Sequence, residues 1–203
     1  MPIYKTISVN TRYQNLIDFS QLTKLRLSIS IVLSSIAGYF LAVEEINYYS
    51  LVLLIVGGFS MVGASNVFNQ IFEKDLDKKM LRTQNRPLPD NRIQPKTAMY
   101  IGVILTLIGV VCLYSINLKT AFFASISTFL YACLYTPLKQ KTPLSVFVGA
   151  FPGAIPFMLG WVAATNKFGI EPGLLFMLQF FWQFPHFCAI GWLMHDQYES
   201  AGF

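Results

Sequence analysis

Charge is scarce in this sequence of 203 residues: Asp, Glu, Lys and Arg supply 12% of it, about half the share usual in a soluble domain. Hydrophobic residues make up 54% and the mean hydropathy is +0.51. These figures exclude an ordinary water-soluble domain and point to an integral membrane protein with the lipid bilayer around it. Cysteine is sparse too. Cys112, Cys133 and Cys188 lie in apolar segments without CxxC spacing, which argues against a zinc or redox motif and reads as small buried core residues. No Gly-rich phosphate loop, nucleophile elbow or zinc-ligand spacing occurs. No apolar stretch precedes Lys24, so no secretory signal peptide is expected. The net charge of +5 comes mainly from the connections between apolar runs. That pattern suits an anionic lipid surface and not nucleic acid.

What is abundant is long apolar sequence. Six runs stand out, at about 25–43, 48–72, 98–116, 120–135, 144–164 and 172–194. Most are near the roughly 20 residues that cross a bilayer, and the fourth is the shortest. Short connections favour antiparallel neighbours in a helical bundle. The expected fold is all-α: a polytopic transmembrane helical bundle forming one membrane domain over residues 1–203. Residues 1–21 are polar and mixed, and Leu16, Ile17, Phe19 and Leu22 suggest a short amphipathic segment on the membrane surface. Thirteen of the 15 Lys and Arg fall in the N-terminal segment and the second and fourth connections; only Lys119 and Lys167 fall on the other side. The bias predicts a cytoplasmic N-terminus, with the second and fourth connections and the C-terminal stretch on the same side.

The chain is organised around the stretch from Asn66 to Pro89. Three of its ten acids, Glu73, Asp75 and Asp77, lie there within five residues, directly after an apolar run. If the helix continues through this stretch, Asn69, Glu73 and Asp77 fall within about 80° of arc on one face, and Asp75 points away. One amide and two carboxylates suit Mg²⁺, a hard cation that takes one or two carboxylates together with phosphate oxygens. Arg82 and Arg86 follow at the same spacing and present planar forks for phosphate. The plainer reading is a charged loop that only sets topology.

Four further places carry chemistry. Lys139 offers a point charge for phosphate and Tyr135 a hydroxyl donor, or the two are an interfacial aromatic beside topology-setting lysines. Pro137 is expected to end the fourth helix and to disturb a regular turn between them. Arg26 either snorkels to the interface or reaches the headgroup end of a cavity. His186 stands inside the sixth run, where an imidazole faces the bundle interior as a haem ligand or as a neutral hydrogen-bonding group; His195, at the end of that run, reads as interfacial. Asp196 and Glu199 are spaced to share a helix face, on the same side as Glu73 and Asp77. They would hold a second Mg²⁺, complete the first one's shell, or form a charged tail.

These residues combine into blocks that resemble a known family. The run NQIFEKDLDKKMLRTQNRP, from Asn69 to Pro87, is similar to the first aspartate-rich motif of the UbiA-type intramembrane prenyltransferases. In detail it resembles their protohaem IX farnesyltransferase branch. The runs YTPLKQKTPL (Tyr135 to Leu144), GAFPGAIPFMLGW (Gly149 to Trp161) and WQFPHF (Trp182 to Phe187) fit the same branch, as does the closing YESAG from Tyr198. The likeness runs from about Leu22 to the last residue.

The resemblance implies transfer of the farnesyl group of farnesyl diphosphate to the vinyl group of protohaem IX (haem B), giving haem O and diphosphate for haem-copper terminal oxidases. It implies Mg²⁺ as cofactor, held by two acidic motifs that here map to Asn69, Glu73 and Asp77 and to Asp196. Arg82, Arg86 and Lys139 would act on the diphosphate, and Arg26, Tyr135, His186, Tyr198 and Glu199 would contact substrates. A bacterial inner membrane follows from it, with haem A synthase or oxidase assembly as candidate partners. Glu73 stands where the family usually has Asp, Gln197 stands where the second motif usually has its acid, and the chain is shorter than its family. The readings that compete are a prenyltransferase acting on an aromatic quinone precursor and a non-catalytic haem-binding or assembly protein.

Overall fold

The computed structural model describes residues 11–195, all of whose regular elements are helical. Helix α1, Thr11–Leu22, exposes Tyr13, Leu16 and Phe19 and buries Asp18 and Leu22. Lys24 then takes a left-handed conformation (φ 48°, ψ 56°) and α2, Leu25–Phe40, begins. Its 16 residues rise about 24 Å, less than the roughly 30 Å of a bilayer core. This corrects the expected run of 25–43. The chain turns after Phe40, and the Tyr39 hydroxyl holds the turn, donating to the Asn47 carbonyl at 3.2 Å and accepting the Asn47 N–H at 3.3 Å. Asn47 caps α3, Tyr48–Phe72, by accepting the Ser50 N–H at 3.1 Å.

Beyond α3 come the short α4, Lys74–Asp77, and a connection to α5, Pro95–Tyr114, which starts on proline. Asn117 caps α6, Leu118–Phe129, by accepting the Thr120 N–H at 2.8 Å. The rod continues through a π-helical turn, Leu130–Tyr135, into α7, Thr136–Leu138. Pro137 therefore does not end the fourth helix, and this span is longer than expected. A new helical register starts after the π turn, and Pro137 falls in its first turn, where a missing N–H removes no intrahelical bond. Helices α8, Ser145–Thr165, and α9, Ile170–Leu193, complete the bundle. Five helical stretches among the described residues are long and apolar enough to cross a membrane: 48–72, 95–114, 118–138, 145–165 and 170–193. The sixth expected span, α2, is apolar but shorter.

Helix α8 runs through the centre, packed on α2, α6 and α9, while α3 packs on α5. Small residues permit the close crossings, as is usual where lipid removes any hydrophobic drive between helices. A Cβ at Gly160 would lie 1.8 Å from the Ser35 carbonyl oxygen, and one at Gly38 2.0 Å from that of Phe157, so α2 and α8 touch backbone to backbone. Pro156 cannot donate to the carbonyl of Pro152; the Ser127 hydroxyl of α6 donates to it instead, at 3.3 Å. The largest apolar cluster joins Leu54, Met61, Leu113, Met158, Leu159 and Val162. A second, of Leu22, Val67, Leu88 and Ala98, ties the end of α1 and the α4–α5 connection to α3 and α5. The cysteines depart from expectation. Cys133 and Cys188 are exposed and Cys112 is half-buried, because an apolar residue of a membrane helix faces outward as readily as inward.

Candidate active site

The site grows out of a polar stripe on α3. Asn66, Asn69 and Gln70 are buried within a long apolar helix, and Glu73 and Asp77 extend the stripe beyond its end. The helix bends at Glu73 (φ −98°, ψ 6°). The i, i+4 ladder survives the bend, because the Glu73 N–H reaches the Asn69 carbonyl at 3.0 Å and the Asp77 N–H the Glu73 carbonyl at 2.8 Å. Asn69, Glu73 and Asp77 therefore face the protein interior together, while Asp75 is exposed and lies 3.9 Å from Lys78.

Asn69, Glu73 and Asp77 each meet a cation from a different part of the chain. The Lys24 ammonium donates to Asn69 Oδ1 at 2.8 Å. Lys139 forms an ion pair with Glu73. Arg86 Nη1 donates to Asp77 Oδ2 at 2.8 Å. The second oxygen of Asp77, Oδ1, is buried and accepts no hydrogen bond from the described residues.

Local structure sets each cation in place. Gln70 Nε2 donates to the carbonyls of Gln21 (3.0 Å) and Leu22 (2.8 Å), and Asn66 Nδ2 to that of Thr23 (3.2 Å). These bonds hold the α1–α2 junction against α3 and leave Lys24 beside Asn69. The Thr83 hydroxyl, buried, donates to the Asp77 carbonyl at 2.9 Å and turns the chain back so that Arg86 meets Asp77. Arg92 secures the same connection to α1. It pairs with Asp18, and its other nitrogens donate to Asp90 Oδ2 (2.9 Å), Gln21 Oε1 (3.1 Å) and the Asn85 carbonyl (2.6 Å). The Lys139 N–H bonds the Tyr135 carbonyl at 3.0 Å, so the turn that Pro137 was expected to disturb is regular, and the ammonium stands 5.9 Å from the Tyr135 ring centre. Burial, followed by the positive charge of Arg86, lowers the pKa of Lys24 from 10.5 to about 7.

The other expected residues fall in different places. Arg82 and Arg26 are exposed; it is Arg86 and Lys24 that turn inward. His186 is exposed, stacked on Trp182 with ring centres 4.7 Å apart, and lines a cavity. His195 is exposed. Asp196, Tyr198 and Glu199 lie outside the described residues. Lys24, Thr83 and Thr136 join the site without a motif of their own in the sequence; Lys24 stands there among the other N-terminal basic residues. Their signal was the polar Asn66, Asn69 and Gln70 in an otherwise apolar run, since such groups need polar partners from neighbouring segments.

A cavity of about 590 Å³ lies between α2, α3, α6, α8 and α9. Asn66, Tyr131 and Tyr135 line it, with Gly149 and Gly153 on α8 and Trp182 and His186 on α9. Its wall is mostly apolar, which suits a hydrocarbon chain. The donors of the α3 stripe fit a divalent cation. Glu73 and Asp77 supply two carboxylates, Asp77 has one oxygen to spare, and Asn69 adds a carbonyl oxygen. Among the described residues no three His, Cys, Asp or Glu side chains converge, so these two acids would need oxygens from substrate or elsewhere to complete a shell.

Facing acidic and basic groups at one end of an all-helical bundle with five apolar helices long enough to cross a membrane define the class as an intramembrane helical protein. Residues 31–203 match the UbiA prenyltransferase family, and the chain belongs to that family of enzymes. It is 60% identical over 199 residues to "Protoheme IX farnesyltransferase" of Christiangramia forsetii, covering 96% of this chain and 66% of the relative. It is 61% identical over 189 residues to the protein of the same name from Flavobacterium psychrophilum, covering 92% and 63%. The chain thus spans slightly less than two thirds of the length of these relatives. Its fold resembles that of a UbiA homologue from Archaeoglobus fulgidus, solved with DMAPP and Mg²⁺ and with GPP and Mg²⁺. The TM-score is 0.76 at 16% identity, over 91% of this chain and 66% of that one.

Proposed function

We propose that this chain carries the prenyl-diphosphate site of a protohaem IX farnesyltransferase, which joins the farnesyl group of farnesyl diphosphate to the vinyl group of haem B and yields haem O and diphosphate. The supporting observation is the convergence of Lys24, Arg86 and Lys139 on Asn69, Asp77 and Glu73, on the same helix α3 whose Asn66 lines the apolar cavity. The names of the relatives support the acceptor and the donor.

Asn69, Glu73 and Asp77 would hold Mg²⁺, with Asp196 as a further ligand; bound there, the ion would offset diphosphate charge. Lys24, Arg86 and Lys139 provide donors for the oxygens on which negative charge grows as the C1–O bond of the farnesyl group breaks and its electron pair leaves with the diphosphate. The cavity lined by Tyr131, Gly149 and Gly153 would take the isoprenoid tail and keep water from the allylic cation. The vinyl π pair then forms the new C–C bond, and a water molecule adds to the resulting cation and loses a proton. His186 and Trp182, on the cavity wall contributed by α9, would meet the flat acceptor. Tyr135 would contact substrate beside Lys139, and Arg26, Tyr198 and Glu199 stay candidate substrate contacts from the family resemblance. The site-bearing end faces the cytoplasm of a bacterial inner membrane in this reading, following the Lys and Arg bias.

The test is a membrane assay of the chain with haem B, farnesyl diphosphate and Mg²⁺, read by the mass of the haem product, with an aromatic quinone precursor offered in parallel. A haem O mass that disappears with chelator is expected. Prenylation of the aromatic acid with haem B unchanged would replace the acceptor. Haem binding without any consumption of farnesyl diphosphate would favour a non-catalytic haem carrier.

A further inference from the structure

A side-chain amide can present either its oxygen or its NH₂ to a site, and only the oxygen binds a cation. In this protein a chain of three hydrogen bonds makes that choice. Asn69 Nδ2 donates to Thr136 Oγ1 at 3.2 Å, and Thr136 Oγ1 donates to the Tyr131 carbonyl at 2.8 Å. At the other end, Asn69 Oδ1 accepts from the Lys24 ammonium at 2.8 Å. The Tyr131 carbonyl only accepts, which sets the polarity of that end, and Lys24 in its protonated form only donates at the other. The Thr136 hydroxyl has a single proton, committed to Tyr131, so it can receive Asn69 only as a donor. Turning the amide over would set its NH₂ against the protonated Lys24 and would make the Thr136 hydroxyl give up its bond to the Tyr131 carbonyl. Thr136 and Asn69 are both buried, so water does not relieve the mismatch.

The π-helical turn brings Thr136 into this position. The Thr136 N–H bonds the Tyr131 carbonyl five residues back, and the Thr136 hydroxyl donates to that same carbonyl. The wider turn carries Thr136 onto α3 opposite Asn69. Isolated π turns of this kind occur frequently at functional sites.

We propose that Thr136 is a positioning residue that fixes the Asn69 carboxamide with its oxygen toward the Glu73–Asp77 site and its NH₂ toward the bundle. The proposal rests on the reading of Asn69 as part of a divalent-cation site, and the experiment separates the two. Mn²⁺ binding to the purified chain with inorganic diphosphate is followed by electron paramagnetic resonance. Thr136→Val, which keeps the shape and loses the acceptor, is expected to weaken Mn²⁺ binding by about tenfold, the lower end of the usual effect of losing a ligand's orienting partner. Thr136→Ser is expected to stay within about twofold. In an Asn69→Asp background, where both terminal atoms are oxygens, Thr136→Val is expected to change little. Wild-type Mn²⁺ affinity in Thr136→Val, or the same fold loss in the Asn69→Asp background, overturns the positioning role. Should Thr136→Val fail to accumulate in membranes, Thr136→Ala removes the same acceptor and is read in its place. Asn69→Ala tests the underlying reading: unchanged Mn²⁺ affinity there removes the metal role of Asn69 and the proposal with it.

Discussion

The ammonium of Lys24 stands 2.8 Å from the side-chain oxygen of Asn69, across 45 positions of sequence. Lys24 holds a left-handed backbone conformation between α1 and α2, and burial with the charge of Arg86 lowers its pKa to about 7. The native protein thus binds this proton less tightly than the unfolded chain, whose lysine titrates near 10.5. The unfolded state carries more protons between those values, so stability rises with pH from about 7 toward 10.5 through this group. Thermal melts of detergent-solubilised protein with chelator present should show a midpoint that climbs between pH 7 and 9. The climb should be lost in Lys24→Met.

Asp77 accepts Arg86 at one oxygen, and among the described residues its other oxygen has no hydrogen-bond partner. Asp77→Asn keeps the shape and removes the charge. Prenyl transfer in membranes should fall at least about 100-fold, the scale of losing one group that stabilises developing charge, while the protein still inserts. Full turnover in this variant would remove Asp77 from the chemistry.

Arg92 clamps the connection that carries Arg86 to helix α1, through Asp18, Gln21, Asp90 and the Asn85 carbonyl. Arg92→Met leaves the buried Asp18 carboxylate with only the Gln14 hydrogen bond and no cation, which should cost about 1–3 kcal/mol. Limited proteolysis should then cut within residues 78–94 more readily than in wild type. Adding Asp18→Asn should restore part of the resistance, because the stranded charge is gone.

Helices α2 and α8 cross with backbone contact at Gly160, where a Cβ would lie 1.8 Å from the Ser35 carbonyl oxygen and 2.5 Å from the Tyr39 nitrogen. Gly160→Ala should destabilise by at least about 1–3 kcal/mol, the usual range for overpacking, seen as a lower melting midpoint. Gly173→Ala, whose Cβ meets nothing within 4 Å, is the matched control and should melt close to wild type.

Much of this was legible in the amino-acid order. Low charge and long apolar runs dictate a helical membrane bundle, since every backbone group must find an internal partner in lipid. The spacing of Asn69, Glu73 and Asp77 places them on one face, because i, i+4 periodicity is a local property of the chain. The structure retains that face despite the bend at Glu73. The choice of Asn69, Glu73 and Asp77 over Asp75 also follows from phase alone.

Contacts between distant segments had no such signature. Arg82 and Arg86 share the same local spacing, yet Thr83 bonds back to Asp77 and brings Arg86 alone inward. Lys24 looked like one more cytoplasmic charge until Asn66 and Gln70 bound the backbone around it. Pro137 looked like a helix end until the preceding π turn reset the register. Local order determined which residues lie on each helix face. Only the tertiary packing decided which loop cations meet which acids, because those pairings depend on how backbone polar groups were satisfied between segments far apart in sequence.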